Sequence, residues 1–185
     1  MLSSIIEANG LPWFIGQILG ILAIILGFIT YQVKSQSRLL LIQSSVAFVF
    51  SVHYLLLGAY SGMAMNIVAV MRNFAYDYRV KKGIESKSIP IFFVSLQALM
   101  CALTWEAWYS VFILFGLCIN SYCMSFKSSQ NIRKSILVTC PMVFTYNVFA
   151  GSIGGSVFEA VAFTSGLIGI IRKREDYSQP TESEI

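Results

Sequence analysis

Apolar residues run through this chain in blocks of about twenty, the length a helix needs to cross roughly 30 Å of hydrocarbon. The blocks predict seven helices, over 12–33, 39–58, 60–79, 88–106, 108–125, 133–151 and 153–172. The links between them are short, which suits antiparallel neighbours in a bundle. The first block reads as a spanning helix rather than a signal peptide, because no Lys or Arg precedes it and no Ala-x-Ala site follows it. Residues 175–185 turn polar and acidic and are predicted to form a disordered tail.

Composition sharpens this picture. The chain is 56% hydrophobic and only 12% charged, against about 25% charged in an average soluble domain. So little polar surface cannot face water, and lipid is the solvent that fits. The net charge of +4 comes from small basic clusters between apolar runs, which reads as membrane flanking and excludes a nucleic-acid stripe. Lys34 and Arg38, then Arg79, Lys81, Lys82 and Lys87, then Lys127, Arg133 and Lys134, then Arg172, Lys173 and Arg174 all fall on one side of the predicted membrane. That is twelve of the thirteen Lys and Arg residues, with Arg72 left inside the third helix. Seven crossings with this bias predict an N-terminus outside and a cytoplasmic C-terminus in a bacterial inner membrane. Cys101, Cys118, Cys123 and Cys140 form no CxxC, and His53 is the single histidine, so no metal site or cofactor is expected. The cysteines read as apolar packing residues.

Shifted by 93 residues, the sequence aligns with itself without gaps. Lys34-Ser35 falls on Lys127-Ser128, Gly58 on Gly151, Gly62 on Gly155, Val68-Ala69 on Val161-Ala162 and Arg79 on Arg172. The expected architecture is therefore an all-α membrane bundle of two parallel three-helix repeats, 1–82 and 108–174. A fourth helix within 83–107 inverts the chain between them. Parallel repeats of this kind place a ligand site near mid-membrane in one group of transporters.

The segments Tyr54-Leu-Leu-Leu-Gly-Ala-Tyr60, Asn66 to Asn73, and Phe149-Ala-Gly-Ser-Ile-Gly-Gly155 followed by Glu159 resemble the YgjV-like family of bacterial inner-membrane proteins. More distantly, the 3+1+3 plan resembles the sugar-exporting SWEET proteins, the PQ-loop transporters and the PnuC-type vitamin transporters. Tyr31-Gln-Val-Lys-Ser35 is similar to the PQ-loop signature with its proline replaced, whereas Met124-Ser125 in the second copy lacks both signature residues. The SWEET resemblance implies a substrate contact from Asn66, with Glu159 in place of the second asparagine.

Polar groups inside the predicted membrane are the candidate site. At helical spacing, Gly62, Asn66, Ala69, Asn73 and Asp77 form one narrow stripe, and Gly155, Glu159, Ala162 and Gly166 form another. Facing each other, they would line a wettable cavity, in which the Glu159 carboxylate would serve to carry a proton. Packing of small residues between helices accounts for Asn66, Asn73 and the glycines equally well. Arg72 is expected to snorkel to the cytoplasmic surface or to pair with Asp77 or Glu159. His53, Tyr54, Tyr146 and Asn147 occupy equivalent positions in the second and sixth helices and read as an outer gate, or, for the tyrosines, as interface residues. Gly16 and Gly20 predict a close helix contact. The function expected is alternating-access movement of a small polar solute, with coupling to a proton on Glu159 as the accompanying hypothesis. The alternative is a membrane subunit, scaffold or sensor that moves nothing. An enzyme is not expected, since no HExxH or GxSxG occurs.

Overall fold

The structure, a computed structural model, describes residues 10–30, 35–125 and 129–171. They form seven helices and, among the described residues, no strand. These are α1 Leu11–Thr30, α2 Gln36–Leu57, α3 Tyr60–Lys82, α4 Ser88–Leu103, α5 Ser110–Cys123, α6 Ser129–Phe149 and α7 Ile153–Ile171. Two stretches, Leu11–Ile29 and Gln36–Leu57, are long and apolar enough to cross a membrane, and four shorter apolar helical stretches accompany them. The tail from 175 and the Tyr31–Lys34 segment lie outside the described residues.

Helix α1 is built inside out relative to a helix of a water-soluble protein. On α1 the large residues Ile15, Ile18, Ile21, Leu22, Ile25 and Ile29 are exposed, and the buried face is Gly16, Gly20, Ala23 and Gly27. Water would drive the large aliphatics inward; hydrocarbon does not, so close packing of small residues decides which face turns in. A Cβ on Gly20 would lie 2.9 Å from the Gly154 Cα, and one on Gly16 would strike Leu57 of α2. The predicted small-residue contact of Gly16 and Gly20 is thus made, to α2 and α7.

Packing runs in a closed circuit from α1 to α2, α3, α5, α6, α7 and back to α1, with α4 lying outside it against α3 and α5. In that order α2 and α6 stand opposite each other across the centre.

Helix ends follow local chemistry. α2 stops at Gly58 (φ 75°), where Gly58 N–H donates to Leu55 O and Ala59 N–H to Tyr54 O. α6 stops the same way at Gly151 (φ 66°), with Gly151 N–H on Val148 O and Ser152 N–H on Asn147 O. Both are left-handed caps that satisfy terminal carbonyls and that a Cβ would strain. α4 ends three residues before the predicted 106, and α5 begins at 110 rather than 108. The chain between leaves the helical path to deliver Glu106 to the start of α3, where its Oε1 accepts from Ser61 N–H at 2.8 Å. A carboxylate at the positive end of a helix is favourably placed. The turns at 58–59, 104–109 and 150–152 share this end, held by Ser61 Oγ–H to Thr104 O (2.5 Å) and by Gln17 Nε2–H to Gly151 O (2.8 Å). The opposite end carries Arg38, Arg79, Lys81, Lys82 and Lys87. They are called here the short-turn end and the basic end.

Candidate functional site

Two polar clusters lie inside the bundle. The first closes the centre near the short-turn end. Leaving α2 and α6, Tyr54 and Asn147 meet with the Tyr54 hydroxyl donating to Asn147 Oδ1 at 2.6 Å. The Tyr54 and Tyr146 rings pack edge to face with centroids 5.9 Å apart, and Tyr54 stacks on Phe50 at 5.8 Å. His53 Nδ1 reaches Gly16 O at 2.6 Å and its Nε2 reaches Ser152 Oγ at 2.6 Å. A carbonyl only accepts, so Nδ1 carries the proton, and a neutral ring then takes the Ser152 hydroxyl proton at Nε2. Ser152 Oγ in turn accepts from Gly155 N–H at 3.0 Å.

Tyr146 has two partners. Its oxygen accepts from Gly62 N–H at 2.8 Å, and its hydroxyl serves the Glu106 carboxylate. Gly62 and Gly155 make the closure possible: a Cβ at 62 would lie 2.8 Å from Tyr54 Cγ, and one at 155 would lie 2.6 Å from Asn147 Oδ1. Glu106 sits in the α4–α5 link, and burial pushes its carboxyl above the ordinary glutamate value, with the Ser61 and Tyr60 backbone N–H groups and the Tyr146 hydroxyl pulling it back.

The structure therefore brings His53, Tyr54, Tyr146 and Asn147 together, as their equivalent positions suggested. Ser152, Glu106 and Gln17, which complete the closure, were missed by sequence reasoning. The available signal for Glu106 was an acid in a link devoid of basic residues; for Gln17, an amide one residue after Gly16 in an otherwise apolar helix.

The second cluster surrounds Arg72, about 18 Å along α3 from its start at 1.5 Å per residue. Arg72 is 3% exposed, which corrects the expected snorkelling. Neither Asp77 nor Glu159 is its partner. Its Nε and Nη2 donate to Asn73 Oδ1 at 3.0 and 2.8 Å, and its Nη1 donates to Ser121 Oγ at 2.6 Å. Ser121 passes its own proton to Gln97 Oε1 at 2.6 Å, and Tyr76 donates to Ser121 O at 2.9 Å. Asp77 instead binds Lys81 at 2.7 Å and the Ser37 hydroxyl at the basic end. An arginine at the centre of a membrane helix costs about 2.5–3.5 kcal/mol on insertion scales. Neutral hydrogen-bond partners offset part of that cost but leave the charge uncompensated.

Gly62 and Gly155, which begin the two stripes, both abut the central closure, but the hydrogen bonds of Asn66, Asn73 and Glu159 do not join the stripes to each other. Asn66 is half-buried and donates to Gly62 O of its own helix at 2.9 Å. Asn73 belongs to the Arg72 cluster. Glu159 takes a hydrogen bond from the Cys140 thiol and lines a groove of about 290 Å³ between α6 and α7, with Pro141, Phe144, Ala160, Phe163 and Thr164. Pro141, Phe144, Ala160 and Thr164 are exposed, so that groove opens on the outside of the bundle. Asn66 and Asn73 find hydrogen-bond partners on their own helix, and Glu159 finds one on the neighbouring α6. Among the described residues no three His, Cys, Asp or Glu side chains gather as a metal site requires.

A family model described as Imp-YgjV, bacterial inner membrane protein, matches residues 14–176. This agrees with the resemblance read from Phe149–Gly155 and its companion segments. No curated protein and no solved structure matches the chain.

Proposed function

Because the chain belongs to the Imp-YgjV family of bacterial inner-membrane proteins, we propose that it is a seven-span carrier that moves a small solute by alternating access. In this reading α1–α3 and α5–α7 are parallel repeats, and α4 is the inverting span. Support comes from pairs of atoms 93 residues apart that meet equivalent partners. The left-handed turns at Gly58 and Gly151 close with the same two backbone bonds. Ser61 N–H and Gly154 N–H, at the starts of α3 and α7, are both capped by a side chain, Glu106 in one case and Gln17 in the other. The circuit itself has this symmetry: the contacts α1–α2, α2–α3 and α3–α5 correspond to α5–α6, α6–α7 and α7–α1.

One observation carries the proposal. The hydrogen bond from Tyr54 to Asn147 joins two equivalent positions of the opposed helices and shuts the centre at one end. A carrier must open that contact to pass solute, and rigid-body rocking of two repeats about it is how such bundles work. The placement of basic residues supports the short-turn end as external and the C-terminus as cytoplasmic.

The test is a Tyr54→Cys/Asn147→Cys pair in a background lacking Cys101, Cys118, Cys123 and Cys140. In proteoliposomes loaded with a panel of small acids, sugars and amines, at least one solute should move with the parent protein. Flux should stop on oxidative cross-linking and return on reduction. Flux that continues through the cross-linked pair removes the proposal. Absence of flux for the whole panel, with a stoichiometric membrane partner recovered, favours the subunit or sensor alternative. Glu159→Gln tests the proton: unchanged pH dependence of flux removes proton coupling.

A further inference from the structure

Arg72 is a buried cation whose hydrogen-bond partners are all neutral. Its hydrogen bonds orient Asn73 Oδ1 and Ser121 Oγ toward the guanidinium, and Ser121 orients Gln97 Oε1 toward itself. Each acceptor in the cluster is thus turned inward, and the amide nitrogens are turned away. Asn73 Nδ2 and Gln97 Nε2 have no partner, although Asn73 is 1% and Gln97 0% exposed. A guanidinium offers five N–H donors. The three bonds made by Arg72 use one on each nitrogen and leave one free on each terminal nitrogen.

Among the described residues the acids are occupied elsewhere or lie away from it. Asp77 pairs with Lys81, Glu106 caps α3, Glu159 bonds Cys140, and Glu85 lies in the α3–α4 link. Among the described residues no carboxylate lies within ion-pair distance of Arg72.

A buried charge is normally paired, and a buried N–H is normally bonded. Here one cation and two amides, from the adjacent helices α3 and α4, depart from both rules at one place. We propose that Arg72, Asn73 and Gln97 form a binding site for a small oxyanion, a carboxylate or a phosphate-like group. Arginine presents parallel donors that match such a group, and Asn73 Nδ2 and Gln97 Nε2 are buried donors of the same cluster with no other partner. Ser121 and Tyr76 hold the arginine in place and are positioning residues. The site does not depend on the transport reading, since a sensor would use it equally well; within that reading, it makes the solute an anion.

The experiment is thermal unfolding of the full chain in detergent, followed by tryptophan fluorescence, at constant ionic strength set with sodium chloride. Formate, acetate and inorganic phosphate are titrated separately. At least one should raise the midpoint saturably, by roughly 4 °C at ten times its half-saturating concentration. Arg72→Gln should lose the response. Asn73→Asp carries the test where Arg72→Gln fails to fold, because it places a permanent carboxylate against the guanidinium. Asn73→Asp should melt above the parent without added anion and should no longer respond to any of the three. The proposal is overturned if none of the anions gives a saturable shift with the parent, or if Asn73→Asp responds as the parent does. A saturable response without flux in liposomes would sink the transport reading and leave this site intact.

Discussion

The two polar clusters of this bundle solve the same problem in opposite ways. Around Tyr54 and Asn147 the groups, apart from the Glu106 carboxyl at the rim, are neutral and nearly every one has a partner; Asn147 Nδ2 is the exception. Around Arg72 a charge is buried with neutral partners, and two amide nitrogens are left over. The first cluster draws donors and acceptors from α1, α2, α3, α6, α7 and the α4–α5 link, so both halves of the chain contribute to it. The second draws on α3, α4 and α5 alone. A network that nearly closes on itself holds a conformation. One that leaves a cation without a counter-charge and two donors unpaired is where a further ligand is proposed. Polar residues inside a membrane therefore need to be sorted by whether their valences are met, and burial alone does not do this.

Substitutions should separate the two clusters, and the largest effect is expected where backbones touch. Gly154→Val would put a Cβ 2.6 Å from the Gly20 Cα, so α1 and α7 must part and the short-turn closure loses its frame. A loss of about 3 kcal/mol or more is expected from overpacking. It should appear as a collapsed monodisperse peak in detergent gel filtration; a parent-like elution profile and melting curve would mean the closure does not lean on this contact.

The next effect should differ in sign between the clusters. Tyr54→Phe removes the donor to Asn147 Oδ1 and leaves a buried carbonyl bare, at about 1–3 kcal/mol. Asn73→Asp, by contrast, should stabilise the Arg72 cluster. Melting temperatures of the two variants, moving in opposite directions from the parent, would uphold the contrast; movement in the same direction would erase it.

Glu106 offers a smaller, pH-dependent handle on the closed cluster. Its folded carboxyl holds its proton more tightly than the unfolded one does, because burial outweighs its hydrogen bonds. The folded state therefore gains relative to the unfolded state as pH falls toward the ordinary glutamate range, and loses that gain as pH rises through the raised value. Melting curves between neutral pH and about pH 4 should show this gain in the parent. Glu106→Gln should lack that component, and a variant with the parent's slope would place the titration elsewhere. The smallest effect belongs to the basic end, where Lys81→Ala breaks an i,i+4 pair between an exposed lysine and the buried Asp77 and should cost about 0.3–0.5 kcal/mol. A much larger shift in its denaturation midpoint would mean that this end is more than a solvated rim.

Much of the candidate site could be read before the fold. The equivalence of His53 with Tyr146 and of Tyr54 with Asn147 followed from the 93-residue offset, and those four side chains do meet. Glycine at 58 and 151 marked two turns because each needs a positive φ. Arg72 was visible as a charge with no place in lipid. What could not be read was its environment: Ser121 and Gln97 lie 49 and 25 residues away on other helices, and single polar letters in apolar runs carry no periodic signal. Glu159 was misread for a related reason. It was expected across from Asn66, and the fold gives it Cys140 of α6 as a partner and a place in the groove between α6 and α7.

By itself, then, the sequence determined the solvent and, among the described residues, the seven helices and where most of them end. Those depend on transfer of whole segments into hydrocarbon and on local backbone chemistry, both of which are sums over neighbouring residues. The tertiary structure alone decided which polar atoms find partners. A hydrogen bond is directional and acts within about 3 Å, so pairing depends on how each helix is turned and on which helix lies beside it. Small residues on facing helices set that arrangement through contacts between segments that are distant along the chain.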